Sequence, residues 1–246
     1  MGFHEPRQLL PVSDVRLSDD LLLNRDLSVV VRSATEEFST LFSLPPPAGI
    51  RPVSIFYQPK GPQTDSTTDT ARYRIYLSVK NHSYDQLVYQ LGHELCHIFA
   101  DPRRSNWFVE SCCAMASHVL LCRTSKLWSN NPSFTNWSSY ARQFQDYAKK
   151  VIRDAKQADH PDPRDGQVLN AQILRPLFDE SLENWNALCF LGKASASPPN
   201  DEDLTDWNRY ELGFSFDRWV EAVPDHLKGI VLRIHKIPKD HWDYRL

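Results

Sequence analysis

No two cysteines stand in a C-x-x-C arrangement, and the total of five (Cys96, Cys112, Cys113, Cys122 and Cys189) is odd. At least one thiol is therefore left over from any pairing within the chain. Four of the five fall in apolar helical contexts, so reduced, buried thiols in a cytoplasmic protein are expected. No apolar run approaches the length needed to span a membrane as a helix, so no membrane partner is expected. The opening residues Met1-Gly2-Phe3-His4-Glu5-Pro6 carry no signal-peptide pattern, and Pro6 stands where N-myristoylation wants Ser or Thr. Basic runs are missing and the formal net charge is −3, which argues against a nucleic-acid partner. There is no internal repeat. What is present is a 246-residue chain, 41% hydrophobic with 7 Trp and 12 Phe, able to bury a core as one domain or two lobes.

The stretch that carries chemistry is His93-Glu94-Leu95-Cys96-His97, an H-E-x-x-H. On a helix, positions i and i+4 share a face, so both imidazoles can reach one zinc ion. Glu94 lies to the side of that pair, placed to take a proton from a water that the metal activates. Chance produces this pattern in about 2% of chains of such composition, so the context decides. Ser83 and Gln86 form an S-x-x-Q capping-box pattern that starts a helix. Leu87, Leu91, Leu95 and Ile98 then recur at helical spacing. Asp101-Pro102 ends the segment, which predicts a helix over about 84–100. Gln86, Gln90, His93 and His97 share its polar face, expected to look into a cleft.

A catalytic zinc takes three protein ligands and leaves one position for water. No H-x-x-G-x-x-H pattern follows His97. Instead Glu110 stands early in a second apolar segment with Val109, Cys112, Cys113, Met115, Ala116, Val119, Leu120 and Leu121. A carboxylate at the start of so apolar a helix needs a partner, and a metal supplies one. His118, two turns further on, reads as structural.

His93-Glu94-x-x-His97 followed at short range by Glu110 resembles the gluzincin metallopeptidases, in which an active-site helix carries H-E-x-x-H and a following helix carries a glutamate ligand. Trp107-Phe108-Val109-Glu110-Ser111 is similar to the W-L-x-E-G stretch of the aminopeptidase branch. Ser111 replaces a common glycine, Ala114 replaces the bracing aspartate of the thermolysin-like branch, and no G-x-M-E-N stretch precedes the motif. The resemblance therefore implies the broad group and no branch. It implies Zn²⁺ held by His93, His97 and Glu110, with Glu94 as the base, hydrolysing a peptide or protein substrate. A second oxyanion donor is expected, with Tyr140, Tyr147, His160, His226 and His241 as unranked candidates.

The fold that the resemblance implies is α+β and zincin-like. A small, mostly antiparallel sheet lies over the active-site helix, and a mainly helical C-terminal lobe follows. Residues 1–125 would form the catalytic lobe and 126–246 the C-terminal one. In such a fold an edge strand pairs with an extended substrate, and Arg72–Val79, alternating polar and apolar, is the strand expected there. Residues 50–57 form a second strand, and the polar stretch 59–71 a rim loop between them. Residues 1–23 read as irregular, with helices expected over 26–43, 134–157, 167–191 (interrupted at Pro176) and 215–223. Residues 194–203 read as a linker or surface loop, and 229–237 as either strand or helix.

Other readings compete. A di-iron bundle needs a second E-x-x-H, which is missing. A non-enzymatic interaction protein with a structural or vestigial metal site, and a zinc hydrolase of a non-peptide substrate, both stay open.

Overall fold

A strand precedes the first helix, inside the stretch expected to be irregular. It is β1 (Val12–Arg16), followed by α1 (Leu21–Ser39). The structure is a computed structural model that describes residues 9–41, 46, 49–65, 69–79, 81–100, 107–157, 163–180, 220–221 and 225–235. The expected segment 194–203 lies outside them, as do all of 181–191 and all of 215–223 except 220–221. Helix α1 starts at Leu21 rather than near 26 because Asp20 caps it, its carboxylate accepting the amides of Leu22 and Leu23. Leu27, Val30, Val31, Ala34 and Phe38 form its buried face. Asn24 ties the two elements together. Its Oδ1 accepts the Leu17 amide at 2.9 Å, and its Nδ2 donates to the Val15 carbonyl at 2.9 Å.

The remaining strands are β2 (Val53–Tyr57), β3 (Gln63–Asp65) and β4 (Tyr73–Leu77), in the order β1-β2-β4-β3. β1 with β2 and β2 with β4 run parallel; β3 with β4 runs antiparallel. The expectation of a mostly antiparallel sheet is thereby corrected. The chain leaves β1 through helix α1, and a helical crossover brings it back in the same direction. β3 returns along the far edge, and β4 fills the gap between it and β2. The alternation expected over 72–79 is present, with Tyr73, Ile75 and Leu77 fully buried. β4 is an interior strand, however. The edge strands are β1 and β3, and β3 formed inside the stretch expected to be a rim loop.

Beneath β3 and β4 lies α2 (Tyr84–Phe99), within a residue of the expected helix. Leu87, Leu91, Leu95 and Ile98 are buried in it, as their spacing required. The capping box is not formed. Ser83 makes no side-chain cap, and the first turn is satisfied otherwise: the Leu87 amide donates to the Ser83 carbonyl and the Gln86 amide to Asp85 Oδ1. Gln90 does not face a cleft. It accepts the Ser78 amide at 2.9 Å and donates to the Ser78 hydroxyl at 2.8 Å, pinning α2 to the end of β4.

Helix α3 (Trp107–Asn130) runs along α2, so the division placed at 125/126 falls inside one helix. The segment expected as one helix over 134–157 is a 3₁₀ turn (Thr135–Tyr140) leading into α4 (Ala141–Gln157). Helix α5 (Pro163–Glu180) contains Pro176. Of the ambiguous segment 229–237, residues 229–235 are helical, in α6 (Asp225–His235), and the last two lie outside the described residues. Tyr84, Trp128, Trp137 and Phe144 cluster where α2, α3 and α4 meet, the two indoles stacked with centroids 4.9 Å apart. The protein is therefore a mixed α/β chain, mostly helical, with one four-stranded sheet. Among the described residues, no helix is long and apolar enough to cross a membrane.

Gly92 sets how closely α2 and α3 approach. A Cβ there would lie 3.0 Å from Ser117 Cα and 3.2 Å from Leu120 Cδ2. A glycine inside a helix costs about 1 kcal/mol against alanine, and here the close approach accounts for it. Gly92→Val is expected to lower stability by about 1–3 kcal/mol in urea unfolding, the usual cost of overpacking. An unchanged midpoint would mean that the helices part freely at this point.

Candidate metal centre

Histidines 93 and 97 lie one turn apart on α2, with ring centroids 5.0 Å apart. The first turn of α3 delivers Glu110 between them. Its Oε2 lies 3.1 Å from His93 Nε2, and its Oε1 lies 3.6 Å from His97 Nε2. All three side chains are mostly sheltered from solvent. This juxtaposition follows from the sequence: Gly92 lets α3 come close, and His93 is the next residue.

Burial alone would push each of these groups toward its neutral form. On His97 the adjacent Glu110 charge outweighs that, and the imidazole is raised to about 9. Glu110 answers in kind. Burial opposes its charge, but His97 and the hydrogen bond from His93 hold its carboxyl well below the usual range. An ionised carboxylate can only accept, so His93 Nε2 donates to it. In this state the centre is an ion pair, and a metal taken up here must displace protons from the imidazoles.

Glu94 lies close enough for its charge to help raise the His97 imidazole. It is 3% exposed, and its Oε2 accepts a hydrogen bond from the Thr64 hydroxyl at 2.7 Å. The same hydroxyl lies 3.0 Å from the Glu94 carbonyl. Thr64 is the middle residue of β3, so the edge strand itself holds the carboxylate. The expectation that placed a substrate-pairing edge at Arg72–Val79 is corrected here, because β4 has neighbours on both sides and the edge strand beside it is β3.

Sequence reasoning missed Cys113 and Thr64. The Cys113 sulfur and one ring nitrogen each of His93 and His97 lie within 4.8 Å of one another. Cys113 is fully buried and hydrogen-bonded with the Cys96 thiol. Burial, then the Cys96 contact, pushes its thiol well above the ordinary value. The one signal available was spacing, since Cys113 follows Glu110 by three residues and so shares its helix face. Thr64 sits in a short polar strand and gave no signal.

The donor set discriminates among ions. Two imidazoles, a carboxylate and a thiol suit zinc and similar first-row metals, whereas calcium and magnesium want oxygen ligands throughout. In a tetrahedral zinc shell, nitrogen and oxygen ligand atoms lie roughly 3.3–3.4 Å apart. The separations of 3.1 and 3.6 Å bracket that value. The residues fit zinc.

Among the expected second oxyanion donors, Tyr140 packs on Tyr84, centroids 5.1 Å apart, and Tyr147 on Tyr89 at 5.8 Å. His226 is exposed on α6. His160 and His241 lie outside the described residues.

His118 is buried on α3 with its ring edge against Tyr89, centroids 5.6 Å apart. Burial, helped by the Arg175 charge, lowers its pKa from 6.5 to about 4. Between those values the unfolded chain binds the proton that the folded chain refuses. The stability that this neutral imidazole supports is thus complete above 6.5 and lost as pH falls toward 4. At pH 5 the wild type is expected to be about 2 kcal/mol less stable than at pH 7.5 on this account. His118→Leu should remove that slope in urea unfolding; an unaltered slope would assign it to other groups.

Protein-family models, curated proteins and solved structures were all compared with this chain, and none matches.

Proposed function

We infer that this chain is a zinc-dependent hydrolase of peptide bonds, of gluzincin type. His93, His97 and Glu110 would hold the ion. The observation that carries the reading is Glu110: a carboxylate from a second helix lies against both histidines of an H-E-x-x-H. A bound zinc ion supplies Lewis-acid activation of water and of the scissile carbonyl. Glu94 then takes up the proton of the attacking water and hands it to the leaving amine. Thr64 orients that carboxylate by its 2.7 Å hydrogen bond. The outer edge of β3 offers backbone groups to an extended peptide segment. Free thiols at Cys96, Cys112, Cys113 and Cys122 fit a reducing compartment such as the cytoplasm.

One observation favours a second reading. Cys113 gives the centre a fourth donor, and four protein ligands are the mark of a structural zinc site in a non-enzymatic protein. Against that, a purely structural site has no use for Glu94.

Metal analysis of purified protein with a peptide-cleavage assay tests the primary reading. About one equivalent of zinc is expected, lost to a chelator together with hydrolysis, and both restored by added zinc. Less than about half an equivalent, with no recovery on adding zinc, would overturn it.

A further inference from the structure

The hydrolytic reading leaves the thiol of Cys113 without a task, although it lies at the metal centre. Its sulfur and one nitrogen of each histidine fall within 4.8 Å of one another. Glu110 and Cys113 are three residues apart on α3, so one helix face presents both the carboxylate and the thiol to α2. In a tetrahedral zinc shell a thiolate sulfur lies roughly 3.5–3.6 Å from an imidazole nitrogen. The sulfur therefore needs to close by no more than about 1.3 Å, which side-chain rotation can supply. The protein partner it has is Cys96, whose thiol is itself a weak hydrogen-bonding group.

We propose that Cys113 is a fourth protein ligand, which closes the shell of His93, His97 and Glu110 around a zinc-class ion and holds the centre latent. The inference rests on the metal-centre reading above. As the sulfur–metal bond forms, the thiol proton leaves to solvent, and nothing is oxidised or reduced. Four protein donors leave no position for water. When the sulfur withdraws it takes a proton back from solvent, a water enters the opened position, and Glu94 can deprotonate that water. Turnover is thus gated by whether Cys113 is in the shell. Full burial of Cys113 places the gate inside the protein, governed by the packing of α3 on α2.

Cobalt(II) substitution is the test. Thiolate ligation adds a near-ultraviolet charge-transfer band to the visible bands of tetrahedral cobalt; imidazole and carboxylate do not. The band is expected in the wild type and in Cys122→Ser, whose thiol is exposed. It should be lost in Cys113→Ser, and the zinc form of that variant should cleave peptide faster than the wild type. Zinc X-ray absorption on the unmutated protein reads the same bond without a variant, as one sulfur at about 2.3 Å. Bound cobalt with visible bands alone, zinc without a sulfur neighbour, or a band that survives Cys113→Ser would each overturn thiolate ligation by Cys113. Those results leave the three-ligand centre standing. Loss of the band without a gain in hydrolysis would overturn the latency. Failure to bind either metal would overturn this inference and the metal-centre reading together.

Discussion

Glu94→Gln is expected to cut peptide hydrolysis by about 10²–10⁴-fold while the protein keeps its zinc. The glutamine amide is the same shape as the carboxylate, and its carbonyl oxygen can still accept the Thr64 hydroxyl. The fold around α2 and β3 should therefore persist. What is lost is the ability to take a proton from water. The loss should fall on kcat, since the substitution removes a proton acceptor and no contact that binds substrate in its ground state. Steady-state kinetics beside zinc stoichiometry makes the comparison. Unchanged hydrolysis would sink the role given to Glu94, and lost zinc would show that the residue supports the metal instead.

Glu110→Ala is expected to weaken zinc binding by at least about a hundredfold, read by competition with a chromophoric chelator. Substituting a residue that merely braces a ligand costs about 10–100-fold, which sets a floor for deleting a ligand. The substitution removes the carboxylate lying 3.1 and 3.6 Å from the two imidazoles. It also removes the charge that raises His97 to about 9. In the metal-free variant, burial would then favour a neutral His97. One proton would no longer compete with the metal, so part of the loss is offset at neutral pH. An affinity equal to the wild type would mean that the third ligand lies elsewhere. Cys113 is then the donor that the geometry offers.

The two metal helices were legible because burial on a helix writes a 3.6-residue period. Leu87, Leu91, Leu95 and Ile98 mark α2, and every one of them is buried. Glu110 was legible for the opposite reason, as one carboxylate among apolar residues. The sheet was harder. β1 buries Val15 alone, so its existence depends on pairing with β2, a partner distant in sequence. β3 is the triplet Gln63-Thr64-Asp65, with no apolar residue to betray a strand, and it is held by the edge of β4. Strand sense depends on how the connecting chain returns, which no local pattern records. Cys113 was hidden in a run where any small apolar residue would read alike. Ser83 and Gln86 carried the right pattern for a cap, but backbone groups and Asp85 satisfied that turn first.

Every side chain at the centre, from Thr64 to Cys113, comes from consecutive elements: β3, β4, α2 and α3 follow one another along the chain. Loop-closure entropy grows with the length of chain between contacts, so these meet at small entropic cost. The pairing of β1 with β2 must span the whole of α1, and the helices after α3 dock later in the sequence. Folding should therefore bring α2 and α3 together as an early local unit, since His93 and Glu110 are 17 residues apart, before the sheet is completed by β1. A newly made chain would present His93, His97 and Glu110 together soon after α3 emerges, early enough for an ion, if the proposed centre takes one, to help hold a partly folded protein.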